Sequence, residues 1–119
     1  MADSSQDKVS ITQILNDYFT GLHTGNVETL RAVFHEDVFL KAPGLRRNRE
    51  DWLQAVASRP VPEAEGETFR FKLLTLDIVN DQAMAKVECP LFDRFYIDFL
   101  GLLKENGRWL IVNKMYADQ

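Results

Sequence analysis

The stretch DYFTGLHTGN, residues 17–26, brings a carboxylate (Asp17), a phenol (Tyr18) and an imidazole (His23) close together in the chain. Side chains of these types transfer protons and stabilise developing oxyanions. Elsewhere the reactive groups are sparse. His35 stands beside Glu36 and Asp37, and Asp98 stands among Ile97, Phe99 and Leu100. No metal-ligand spacing, phosphate loop or nucleophile motif accompanies them, so neither a metal nor a cofactor is expected.

Asp98 raises the sharpest question. A carboxylate in an apolar strand is largely desolvated and needs a partner or a raised pKa. Arg94 shares its strand face but lies about 13 Å away along the backbone, too far for a direct bond from spacing alone. The ordinary reading is a buried Asp held by Tyr18 or a backbone group; the functional one is a polar contact in a pocket. Tyr18 divides the same way, between a core aromatic with one hydroxyl partner and a pocket donor. His23 closes a helix, where the negative end of the dipole stabilises it. His35 reads as a surface cap or as an acid–base couple with Asp37. Asp17 points to solvent. Phe39, Trp52 and Phe92 are candidate pocket walls, although aromatics at these spacings are ordinary core.

The elements that position these groups follow from periodicity. Residues 1–7 read as a flexible leader, and residues 8–119 as one domain. Ile11, Ile14, Leu15, Tyr18, Phe19 and Leu22 form a helical stripe that stops at Gly25. Asn26 starts a second helix with Val27, Leu30, Val33 and Phe34 as its apolar positions. Residues 37–42 read as a short strand ended by Pro43-Gly44. Asn48 caps a third helix whose buried face is Trp52, Leu53 and Val56, with Glu50 and Asp51 in its first turn. The run RPVPEAEGE is a loop. Four extended runs follow, at residues 68–79, 83–89, 94–104 and 108–116. The turns between them are Asn80-Asp81 and Asn106-Gly107, and Pro90 breaks or bulges the chain after the second run. Helices first and a meander second give an α+β domain, with helices laid on one face of a curved sheet. The third run is apolar on both faces, so the face left uncovered is a candidate homodimer interface.

Composition limits the partners. The chain has 119 residues, 45% of them hydrophobic, which fits one modest globular core. Lys and Arg number 14 against 18 Asp and Glu, a net charge of −4, which argues against nucleic acid. Arg46, Arg47 and Arg49 read as a solvated loop, or as a site for an anion or acidic partner. Cys89 is the lone cysteine and reads as a core filler in a reducing compartment. No apolar run reaches membrane length and the N-terminus carries no apolar signal region, so a cytoplasmic protein without membrane contact is expected.

The helix pair ending in FHED, joined to Asp98, Leu100, Leu102, Lys104, Gly107, Trp109, Ile111, Val112, Asn113 and Lys114, resembles the nuclear-transport-factor-2-like superfamily. Within it the chain is most similar to the branch called putative lumazine-binding or SnoaL-like proteins. The resemblance spans residues 9–116. It implies a cone-shaped α+β fold, with three N-terminal helices packed on a curved, mainly antiparallel sheet that encloses a pocket, usually in a dimer. For function it implies a small-molecule-binding protein for a hydrophobic or aromatic ligand, or a lyase, isomerase or cyclase working through enolate-like chemistry. The alternative is a non-catalytic dimerisation or binding module. Tyr18, Phe39, Trp52, Phe92, Arg94 and Asp98 are the expected ligand contacts; Tyr18, Asp98 and His35 are the catalytic candidates. Against ketosteroid isomerase, a superfamily relative, the oxyanion-binding tyrosine and acid fall on Tyr18 and Asp98. The proton-shuttling base falls on Ala42, which carries no proton.

Overall fold

A computed structural model describes residues 4–119. The first helix, α1 (Ser4–Thr24), starts earlier than the expected leader allows. Residues 4–7 belong to it; the rest of the expected leader lies outside the described residues. Asp7 explains the difference. Its carboxylate accepts hydrogen bonds from Trp109 Nε1 at 3.1 Å and Lys104 Nζ at 3.0 Å, which pins the first turn to the far end of the chain.

The α1 stripe is buried as its spacing requires, with Ile11, Leu15, Tyr18, Phe19 and Leu22 in the core. Gly25, at φ 67°, ends the helix, and the Asn26 N–H returns to the Gly21 carbonyl at 3.1 Å, a Schellman closure. Asn26 then caps α2 (Val27–Val33) by accepting from the Thr29 N–H. The two helices touch closely because Gly21 has no side chain: a Cβ there would lie 2.7 Å from Leu30 Cγ.

Phe34 opens a strand rather than closing α2. That strand, β1 (Phe34–Ala42), turns at Pro43-Gly44 into β2 (Leu45–Asn48). The arginine run expected as a loop therefore forms an edge hairpin. Asn48 caps α3 (Arg49–Ser58), accepting from the Asp51 N–H at 2.8 Å, and Trp52, Leu53 and Val56 face inward.

Four long strands follow: β3 (Lys72–Val79), β4 (Gln82–Leu91), β5 (Arg94–Glu105) and β6 (Arg108–Asp118). β3 starts later than expected, and Phe69 and Phe71, just before it, pack edge-on against His23. The sheet order is β2-β1-β6-β5-β4-β3, with β1 parallel to β6 and the other pairs antiparallel. The fold is thus α+β, with the described residues forming three helices on a six-stranded, mainly antiparallel sheet.

Pro90 does not break β4, and the reason is register. It pairs with Phe95, whose N–H and C=O are both spent toward β6, on the Asp118 carboxylate and the Gln119 N–H. The Pro90–Phe95 pair is therefore non-hydrogen-bonded, and Pro90 faces the side where β3 has already ended.

The concave face packs on the helices. On the convex face Phe39, Met84, Phe99 and Met115 stay between 39% and 47% exposed. Register aligns them in two adjacent rows, Phe39–Asn113–Gly101–Met84 and Lys41–Met115–Phe99–Lys86. Among the described residues no helix is long and apolar enough to cross a membrane.

Candidate functional site

Four buried polar groups meet where α1, β4, β5 and β6 converge. Asp98, 2% exposed, accepts a 2.6 Å hydrogen bond from the Tyr18 hydroxyl on Oδ2. The Cys89 thiol donates to the same oxygen at 3.3 Å. Lys114 Nζ stands 3.8 Å from it, an ion pair outside hydrogen-bond reach. The ammonium also lies over three rings, 4.5 Å from the centre of Trp52, 5.2 Å from Tyr116 and 5.3 Å from Tyr18.

Burial sets the protonation of this cluster. Desolvation, aided by the Asp98 charge, raises the Tyr18 pKa well above its ordinary value, so the phenol keeps its proton and remains a donor. The same two causes raise the Cys89 thiol, which disfavours the nucleophilic thiolate. Desolvation lowers the Lys114 pKa, and the attraction of Asp98 opposes it.

The cluster floors a cavity of about 110 Å³ walled by Leu22, Trp52, Tyr96 and Tyr116 and reached by Arg47 and Arg59. Arg59 is half-buried, desolvation lowers its pKa, and its Nη2 is buried with no hydrogen-bond partner. A second depression, about 190 Å³, shares Arg59, Leu91 and Tyr96 with the cavity and continues past Phe92 and Arg94. A wider open groove beside the start of α1, about 420 Å³, gathers only Ser10, Gln13 and Arg108 as polar side chains. It has no convergent ionisable cluster, so the smaller cavity is the stronger site candidate.

The expected site residues separate accordingly. Asp98 and Trp52 line the cavity, and Tyr18 backs it through Asp98. Phe92 and Arg94 line the adjoining depression; Arg94 is spent on Asp118 at 3.1 Å. Phe39 stands apart from this cavity, because strand alternation puts it on the convex face, 47% exposed. His35 pairs with Asp37, 2.6 Å from Nδ1 to Oδ1, and borders a different depression with Leu103 and Leu110. That lies roughly 15 Å along the strands from Asp98. His23 meets Phe69 and Phe71 edge-on, ring centres 5.3 and 6.2 Å away. Among the described residues no three His, Cys, Asp or Glu side chains gather to hold a metal.

Lys114, Tyr116, Tyr96 and Arg59 are cavity-lining residues that sequence reasoning missed, whereas Arg47 was named there only within a candidate anion-binding run. For Lys114 and Tyr116 the cause is one β-bulge. The Asn106-Gly107 turn pairs Leu102 with Ile111, but Gly101 pairs with Asn113, leaving Val112 unmatched. The bulge reverses the alternation of β6, so Trp109 and Ile111 face inward before it and Lys114 and Tyr116 after it. Arg59 sits in a loop, where no period reports orientation.

The family model described as “Putative lumazine-binding” matches residues 6–117. No curated protein matches the sequence. An NTF2-like protein of unknown function from Shewanella baltica is similar with a TM-score of 0.84 at 19% identity, over 100% of this chain and 98% of that one. One from Methylobacillus flagellatus gives 0.77 at 26% identity, over 96% and 93%. A Shewanella frigidimarina protein described as “a putative ketosteroid isomerase” gives 0.66 at 15% identity, over 88% and 92%. These likenesses carry the fold.

Proposed function

The chain belongs to the family described as “Putative lumazine-binding”, and from that premise we propose that it binds a small organic molecule in the cavity above Asp98. The supporting observation is the buried Asp98–Lys114 pair, backed by Tyr18, at the floor of a space that side chains do not fill. Buried ionisable groups cost folding free energy, and their retention beside a cavity suits a binding site better than a core. The ligand's polar end would meet Asp98 and Lys114, and its apolar or aromatic body would lie on Trp52, Tyr96 and Tyr116.

Binding fits these residues better than isomerisation. Tyr18 and Asp98 match an oxyanion-binding pair, yet Ala42 stands where the relative has its base, and His35 is remote. The exposed Phe39, Met84, Phe99 and Met115 on the convex sheet face favour a second property, pairing with another copy of the chain, since such patches are rarely left open.

A thermal-shift screen of small aromatic molecules tests the binding reading on wild type and Asp98→Asn. The expected result is a set of compounds that raise the wild-type midpoint and act more weakly on the variant. A screen in which no compound raises either midpoint would sink it.

A further inference from the structure

We propose that the cavity selects a small organic anion, a carboxylate on a planar aromatic body, clamped by Arg59 and Lys114. This assignment rests on the ligand-binding reading above and names its ligand class.

The argument is a count of donors against acceptors. Arg47, Arg59 and Lys114 reach the cavity with three positive charges, against the single carboxylate of Asp98. Three less one leaves an excess of two. A guanidinium carries five N–H donors and an ammonium three, and neither accepts a hydrogen bond. The one acidic side chain lining the cavity, Asp98, already takes the Tyr18 and Cys89 donors on Oδ2. Among the described residues Arg59 has no ion-pair partner, and its Nη2 is buried without an acceptor. Lys114 reaches Asp98 only at 3.8 Å. Buried donors without acceptors are costly, and an anionic ligand supplies the missing acceptors. The desolvation that lowers the pKa of both cations would be offset by the same charge.

Shape narrows the class. At about 110 Å³ the cavity suits a carboxylate and a few atoms beyond it. The body then passes Tyr96 into the adjoining depression of about 190 Å³, beside Leu91 and Phe92. Flat walls from Trp52, Tyr96 and Tyr116 favour a planar body. A guanidinium fork matches a planar carboxylate in a bidentate pair.

Isothermal titration calorimetry on the full chain in low-salt buffer tests this with three probes: benzoate, its uncharged analogue benzamide, and inorganic phosphate. Benzoate is expected to bind at least tenfold more tightly than benzamide or phosphate. Arg59→Gln is expected to weaken benzoate at least tenfold and to weaken benzamide by a smaller factor, so that the preference for the anion is lost. Should the variant fail to fold, the wild-type comparison decides alone. Benzamide binding as tightly as benzoate overturns the anion assignment and leaves the cavity reading intact. Phosphate binding more tightly than benzoate overturns the carboxylate. Absence of benzoate binding also overturns the assignment, and the cavity reading falls with it only if the thermal-shift screen yields no compound.

Discussion

The Tyr18 hydroxyl donates to Asp98 Oδ2 at 2.6 Å, tying the middle of α1 to the middle of β5 across eighty positions of sequence. The bond satisfies a buried phenol and helps hold the carboxylate that faces Lys114. Tyr18→Phe keeps the ring and removes the donor, so it should cost about 1.5–3 kcal/mol, the range for a hydrogen bond to a charged group. Asp98→Ala leaves Lys114 buried without its counter-charge and should cost more, about 3–5 kcal/mol. Asp98→Leu combined with Lys114→Met should cost less than the two single changes added together. Urea unfolding of the set measures all three.

Acid stability should depend on Asp7. Its bonds to Lys104 and Trp109 hold its pKa below the ordinary value of 3.8. A carboxyl whose folded pKa is depressed contributes stability above the unfolded value, and that contribution is lost as pH falls through the folded value. Asp7→Asn should therefore be less stable than wild type at neutral pH, with the gap closing below pH 3.8. Thermal midpoints between pH 2 and pH 7 check it; a gap that stays constant would count against the ion pair.

Gly21 is a contact, not a flexible point. An alanine there would press on Leu30, which is fully buried. Overpacking costs about 1–3 kcal/mol, while alanine gains about 1 kcal/mol in helix propensity. The net expectation is a loss of about 1 kcal/mol, read as a lower midpoint. A stabilised Gly21→Ala variant would mean that the two helices have room to separate.

The convex sheet face carries the assembly prediction. Light scattering at micromolar protein should give twice the mass of one chain. Phe99→Glu and Met115→Glu put like charges into the adjacent positions of one row and should give the single-chain mass without loss of helix content by circular dichroism. A monomeric wild type removes the dimer proposal.

Local rules made much of the fold legible. Gly25, Asn26, Asn48 and Asn106-Gly107 each fix a boundary through their own backbone chemistry, and each stands where its residue type requires. Tyr18 and Asp98 were readable as a pair because α1 and β5 keep unbroken periods up to those positions. The cations around them were not. Lys114 depends on one unmatched residue in β6, Arg47 on a four-residue edge strand, and Arg59 on how a proline-bearing loop crosses the cavity. Each is a tertiary outcome that local pattern does not encode.

Asp7 has a consequence for synthesis as well as for stability. Its partners Lys104 and Trp109 lie 97 and 102 residues further along the chain. Contacts this long-ranged form late, because the intervening loop must first close. On a ribosome the opening turn of the first helix must wait, unanchored, until the final hairpin has emerged. The opening turn of α1 is thus secured only after the β5–β6 hairpin has formed, and a chain cut short before Trp109 lacks the means to fasten that turn.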